Sequence, residues 1–169
     1  FEQGNTGFTS DLTYISTPNP HSNLWNAGTY AIGYTPTDYH SLMEPCTHNN
    51  GMFFMANGDS IANTIAYQTT ITIQPNTYYA VSFETTNISM STVADELPSF
   101  QFSINNNQLG NIFTIPDTQC QWNTFYQIWF SGNNTTATIK ILNQNTHNGG
   151  NDFAIDNVSM KKLCVAYDT

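Results

Sequence analysis

The chain has 169 residues, enough for one hydrophobic core and too few for two comfortable domains. Three Lys plus Arg against twelve Asp plus Glu give a net charge of -9, so there is no basic patch to hold phosphates; nucleic acid and anionic membrane surfaces are excluded as partners. Only 9% of residues are charged while 14% are aromatic, so neutral Asn, Thr, Ser and Gln must cover an aromatic-rich core, and the chain is not a disordered one.

Helical spacing is nearly absent, and no apolar run reaches the length of a membrane span. Strand signals recur instead, separated by Gly, Pro, Asn and Asp. Residues 14–26 are rich in Pro and Asn and read as a loop. Residues 28–34 alternate and stop at Pro36. Residues 52–55 form a short continuous apolar run, the pattern of a strand buried on both faces. Ile65, Tyr67, Thr69, Ile71 and Ile73 alternate up to the turn Gln74-Pro75-Asn76, and Tyr79, Val81 and Phe83 alternate after it. A long acidic loop follows over 86–98. Phe100, Phe102 and Ile104 make the next strand, which ends at Asn105-Asn106-Asn107. Residues 122–130 form a long aromatic strand, and Ala137, Ile139 and Ile141 form another. Gly149-Gly150-Asn151 supplies a turn into a closing strand with Phe153, Ile155, Val158 and Met160. Asp152 and Asp156 sit inside that strand, where acids are normally depleted, and an oxygen-ligated cation is the common reason.

Eight or nine short strands with turns between them predict an all-β, two-sheet antiparallel β-sandwich. The predicted core contains Tyr79, Phe83, Phe102, Trp122, Phe125, Trp129 and Ile155. Of three cysteines none forms a CxxC pair, so a structural zinc is not expected; one disulfide and one free thiol fit an oxidising compartment. Cys46–Cys120 is the preferred pair. Cys164 lies beyond the closing strand, in a linker or a following domain.

Five motifs in order resemble the galactose-binding-like jelly rolls related to carbohydrate-binding modules of the family 4, 9 and 22 type, common in secreted multidomain proteins of gliding bacteria. They are Phe1-Glu2-x-Gly4; Gln68 to Tyr79 around Pro75-Asn76-Thr77; Pro98 to Asn105; Cys120-Gln121-Trp122-x-x-Phe125 with Trp129, Ser131 and Gly132; and Asn151-Asp152-Phe153-Ala154-Ile155-Asp156. The resemblance implies a module over 1–162, with 163–169 a linker to a following domain. It implies a secreted or cell-surface location in an exported modular protein. It also implies a structural calcium joining the first and last strands, with Glu2 and Asp156 as side-chain ligands and Gly4 and Thr29 as carbonyl donors. One departure is Pro45-Cys46-Thr47, where related modules often have Asp-His-Thr.

Sugar binding needs aromatic faces for C–H surfaces and amides or carboxylates for hydroxyls. Candidate platforms are Trp25, Tyr39 and Tyr126. On the strands named above, positions opposite the apolar ones carry Gln68, Thr70, Glu84, Gln101, Ser103 and Gln127, read as one polar, amide-rich sheet face. The resemblance implies that such a face binds glycan chains. The four histidines, His21, His40, His48 and His147, show no paired spacing, and no G-x-S-x-G elbow is present, so no enzyme is expected. The expected function is a non-catalytic, calcium-stabilised carbohydrate-binding module whose partners are a polysaccharide or oligosaccharide and neighbouring domains of the same chain. The alternative is a structural or adhesive spacer without sugar affinity.

Overall fold

A computed structural model describes residues 1–21, 23–90 and 93–164. Residues 165–169 of the expected linker lie outside the described part. Ten strands are present there. They are β1 (Thr13–Tyr14), β2 (Thr29–Gly33), β3 (Phe53–Asn57), β4 (Thr64–Thr72), β5 (Tyr78–Asn87), β6 (Ser99–Ile104), β7 (Asn107–Thr114), β8 (Asn123–Phe130), β9 (Thr136–Asn143) and β10 (Asp152–Lys162). A six-stranded sheet runs β1-β2-β3-β10-β5-β8 and a four-stranded sheet runs β4-β9-β6-β7. Every pairing between these strands is antiparallel except β1 with β2. The expected two-sheet sandwich is therefore the observed architecture. Helical structure among the described residues is confined to three short 3-10 turns. No helix there is long and apolar enough to cross a membrane.

One strand absent from the sequence reading is β7. Asn105 and Asn106 both take left-handed φ, 51° and 65°, and turn the chain straight back on itself. The returning strand reads Asn-Gln-Leu-Gly-Asn-Ile-Phe-Thr, and its register on β6 slips between Phe100 and Phe102. That bulge erases the period-two pattern by which a strand is recognised.

The core lies between the sheets. Phe83 of β5 stands at its centre, edge-on to Phe100, Phe102 and Phe125 at 5.6, 5.3 and 5.7 Å. Phe153 closes the far side, edge-on to Phe100. Each fully buried Phe contributes about 2–3 kcal/mol of transfer free energy, so this cluster dominates the apolar stabilisation. A second cluster, containing Leu24, Tyr39, Met43, Phe53, Met55 and Ile88, lies on the outer face of the six-stranded sheet. This explains the continuous apolar run of β3. Phe54 and Ala56 point to the main core and Phe53 and Met55 to the second cluster.

Tyr79, Phe83, Phe102 and Ile155 are buried as expected, but Trp122, Phe125 and Trp129 are only half-buried. β8 is the edge strand of its sheet, so Phe125 and Trp129 cover the rim of the main core. Trp122 precedes β8 and packs against the second cluster.

Candidate functional site

The outer face of the six-stranded sheet is divided in two. Over β2, β3 and the start of β10, loops between β1 and β3 bury the second apolar cluster. Over β5, β8 and the end of β10 the face is open except at Asp156, which is 7% exposed beside His48. Register places its outward side chains in rows: Thr124, Glu84 and Asp156; then Tyr126, Ser82 and Ser159; then Ile128, Ala80 and Lys161; then Phe130 and Tyr78.

Between Asp156 and Ser159 the register shifts, and Asn157 takes a left-handed φ of 49°. Asn157 and Val158, in the bulge, line one side of a groove of about 440 Å³. Ser82, Glu84, Thr124, Asn157, Val158, Ser159 and Lys161 line it. Tyr126, directly across the ladder from Ser82, is 62% exposed and stands beside the groove. Ile128, Phe130 and Tyr78 extend the exposed strip along β8, with the Tyr78 and Phe130 rings 4.8 Å apart.

One end of the groove is fixed by His48. Its Nδ1 lies 2.8 Å from Asp156 Oδ2 and its Nε2 lies 3.0 Å from Glu84 Oε2. The ring stacks on Trp122 at 3.9 Å. Glu84 also accepts from the Asn157 amide at 2.9 Å. Both ring nitrogens of His48 face carboxylates, so neither is left to act as a base toward a hydroxyl in the groove.

The sequence-derived binding residues do not converge. Glu84 and Tyr126 are on the open face just described. Gln68 and Gln101 are on the outer face of the other sheet, because β4 and β6 belong to it. There the amides are occupied with protein partners: Gln101 donates to the Gly110 carbonyl, and Gln144 donates to Gln101 and Asn63. The single amide-rich face of the sequence reading is thus two faces on opposite sides of the sandwich. Gln127 faces neither. It shares the inward side of β8 with Phe125 and Trp129 and fills the space over Gly110. Tyr39 is buried in the second cluster and donates its hydroxyl to the Ile32 carbonyl, so its ring offers no platform. Trp25 is 43% exposed, but one face of its indole is stacked on His40 at 4.0 Å.

The calcium ligands that the resemblance implies fall at separate places in the fold. Glu2 accepts from the Met52 amide, and Asp156 reaches His48, so both termini do grip the loop before β3. Thr29 does not join them. It pairs with Asn57 at one end of β3, whereas Asp156 lies beyond Phe54 at the other, roughly 13 Å along the strand. The Gly4 carbonyl accepts from Thr6. Asp156 Oδ1 accepts from the Asn157 amide and Oδ2 faces an imidazole, which offers calcium no oxygen. Among the described residues no group of three His, Cys, Asp or Glu is arranged to hold a metal ion. The set Glu2, Gly4, Thr29 and Asp156 does not fit calcium as one site.

The Cys46–Cys120 disulfide is formed, and Cys164 is free and exposed. His48 does not stand out in the sequence as a site residue because its two partners are 36 and 108 positions away, beyond any local spacing.

No protein-family profile matches the chain, and no curated protein matches it. Among solved structures it is similar to the CBM22-1 xylan-binding domain from Paenibacillus barcinonensis Xyn10C. The TM-score is 0.59 at 11% identity, over 98% of this chain and 92% of that one. The fold is a galactose-binding-like jelly roll. The tandem CBM22-1-CBM22-2 domain of the same Xyn10C gives 0.59 at 13% identity, and this jelly roll spans 45% of its length. A Stig cyclase, Fisc from Fischerella sp. TAU, gives 0.61 at 14% identity over 93% of this chain and 85% of that one. At these identities the likeness concerns the fold, and a fold that serves both xylan binding and cyclisation does not choose a function. The choice rests on the groove.

Proposed function

We propose that this jelly roll is a non-catalytic carbohydrate-binding module and that the groove beside Tyr126 holds a neutral polysaccharide chain. The observation that carries the reading is an exposed aromatic ring next to a groove lined by hydroxyls, an amide, a carboxylate and an ammonium. A ring stacks on the apolar C–H face of a sugar, and those polar groups read its hydroxyls. The four-stranded sheet has the amides without the ring: the exposed aromatic side chains Tyr14, Trp25, Tyr34, Tyr78, Tyr126 and Phe130 all lie off its strands. The disulfide suits an exported protein, and a binding module suits one part of a larger chain that keeps its partner domains near polysaccharide.

The test is titration calorimetry with soluble xylan, β-glucan, mannan and galactan fragments. Sites of this kind bind in the micromolar to millimolar range, about -8 to -4 kcal/mol. Tyr126→Ala should weaken binding by roughly 10- to 100-fold, the loss of about 1–3 kcal/mol of stacked apolar surface. Gln68→Ala, on the opposite side of the sandwich, should leave it unchanged. No heat with any glycan would favour the spacer reading. Binding lost on Gln68→Ala and kept on Tyr126→Ala would move the site to the other sheet.

A further inference from the structure

Asp156 and Glu84 are directly opposite each other on adjacent strands, with both carboxylates on the outer face. Two like charges in that relation repel and weaken the ladder. The His48 ring stands between them, one nitrogen to each. Each nitrogen is within hydrogen-bond distance of one carboxylate, 2.8 Å to Asp156 and 3.0 Å to Glu84, so the ring bridges the pair. Lys161, the one Lys or Arg among the described residues lining the groove, lies two rows along the sheet. Glu2 meets the same loop by accepting from the Met52 amide.

The ring is not placed there loosely. Cys46 is bonded to Cys120, and His48 and Trp122 follow these cysteines by two residues on each chain segment. The crosslink therefore brings the imidazole and the indole together, and they stack with planes 21° apart. The indole N–H donates to the Thr47 carbonyl at 3.1 Å, and Phe53 supports the indole edge-on at 5.3 Å. His48 and Asp156 side chains are each only 10% exposed.

We infer that the His48 imidazole, clamped on Trp122 by the Cys46–Cys120 crosslink, ties the closing strand to the loop before β3 in place of a calcium ion. Asp156 is the one closing-strand carboxylate that the resemblance assigns to calcium; its Oδ1 accepts from the Asn157 N–H and its Oδ2 lies 2.8 Å from His48 Nδ1. The join is made by contacts from within the chain, so the stability of this module does not depend on calcium.

The experiment is thermal unfolding of the chain in excess calcium and in chelator, with calorimetric titration of calcium alone as a second readout. The expected result is one Tm in both conditions and no calcium heat. His48→Ala should lower Tm by roughly 4–10 °C, since it leaves two partly buried carboxylates facing each other. His48→Asn, which keeps one amide donor, should fall between. Introducing His48→Ala into an Asp156→Asn, Glu84→Gln background should cost much less, because the two carboxylates the ring bridges are gone. A wild-type Tm that falls in chelator overturns the inference. So does an equal cost of His48→Ala in both backgrounds, which would reduce the ring to a packing partner of Trp122.

Discussion

Asn143 and Asn151 hold their side-chain amides face to face in the interior, each donating to the other's carbonyl oxygen at 3.0 and 3.3 Å. Both residues are 1% exposed. Asn151 also donates to the backbone carbonyl of Asp59 at 3.0 Å, and its own carbonyl accepts from Gly58. One amide thus joins β9, the turn after β3 and the entry to β10. Such a fully satisfied buried polar group is costly to remove, because each partner left behind loses its donor or acceptor.

Asn151→Leu should therefore destabilise the fold by roughly 2–4 kcal/mol although it adds apolar volume. The urea midpoint should fall with an unchanged m-value. Gly58→Ala should act on the same contact, since a Cβ at Gly58 would collide with the Asn151 amide and carbonyl.

Asp152, one residue on, is held differently. Burial pushes its carboxyl up to about 6 from 3.8, and a hydrogen bond from Ser89 offsets part of that rise. A folded-state value above the unfolded one means that the contribution is fully present below about pH 4 and is lost as pH rises through about 6. Asp152→Asn should thus be more stable than wild type at neutral pH, by up to about 3 kcal/mol. The advantage should shrink to nearly nothing at pH 4. Urea unfolding of both proteins at pH 4, 6 and 7 checks this; a constant difference across the three would refute it.

Much of the sandwich was legible because its strands carry patterns set by burial. The run Met52-Phe53-Phe54-Met55 reports a strand covered on both sides, and Tyr79, Val81 and Phe83 report one covered on a single side. The face of β8 was not legible. Phe125 and Trp129 point inward, but Tyr126, Ile128 and Phe130 are also apolar, so both parities qualify and the sequence pattern cannot choose. That ambiguity misplaced Gln127. The site failed to show for a related reason. Strands of both sheets carry polar outward residues, and only pairing tells that Gln68 sits beside Lys140 while Glu84 sits beside Asp156.

The Cys46–Cys120 crosslink closes a segment of 74 positions. Restricting a loop of that length in the unfolded chain is worth about 4 kcal/mol on the chain-entropy account. In a Cys164→Ser background, which removes the exposed free thiol and with it reshuffling, reduction should lower the unfolding free energy by about that amount. It should also loosen the His48–Trp122 stack, so tryptophan fluorescence should change before global unfolding in mild urea. Coincident transitions would show that the crosslink stabilises without positioning the ring.

Finally, the exposed strip continues past the groove. Tyr126, Ile128 and Phe130 alternate along β8 over roughly 13 Å, and Tyr78 flanks the far end. A chain lying along β8 would meet the polar groove first and the apolar strip after it. Affinity should therefore rise with oligosaccharide length until the strip is covered, then level off. Phe130→Ala should abolish that gain while leaving the affinity for the shortest binding fragment unchanged. With 9% charged residues and a neutral ligand, binding should be nearly independent of salt. Calorimetry over a length series at low and high salt reads all three effects. A steep salt dependence would mean that Lys161 pairs with a charged sugar, and equal affinity at every length would confine the site to the groove itself.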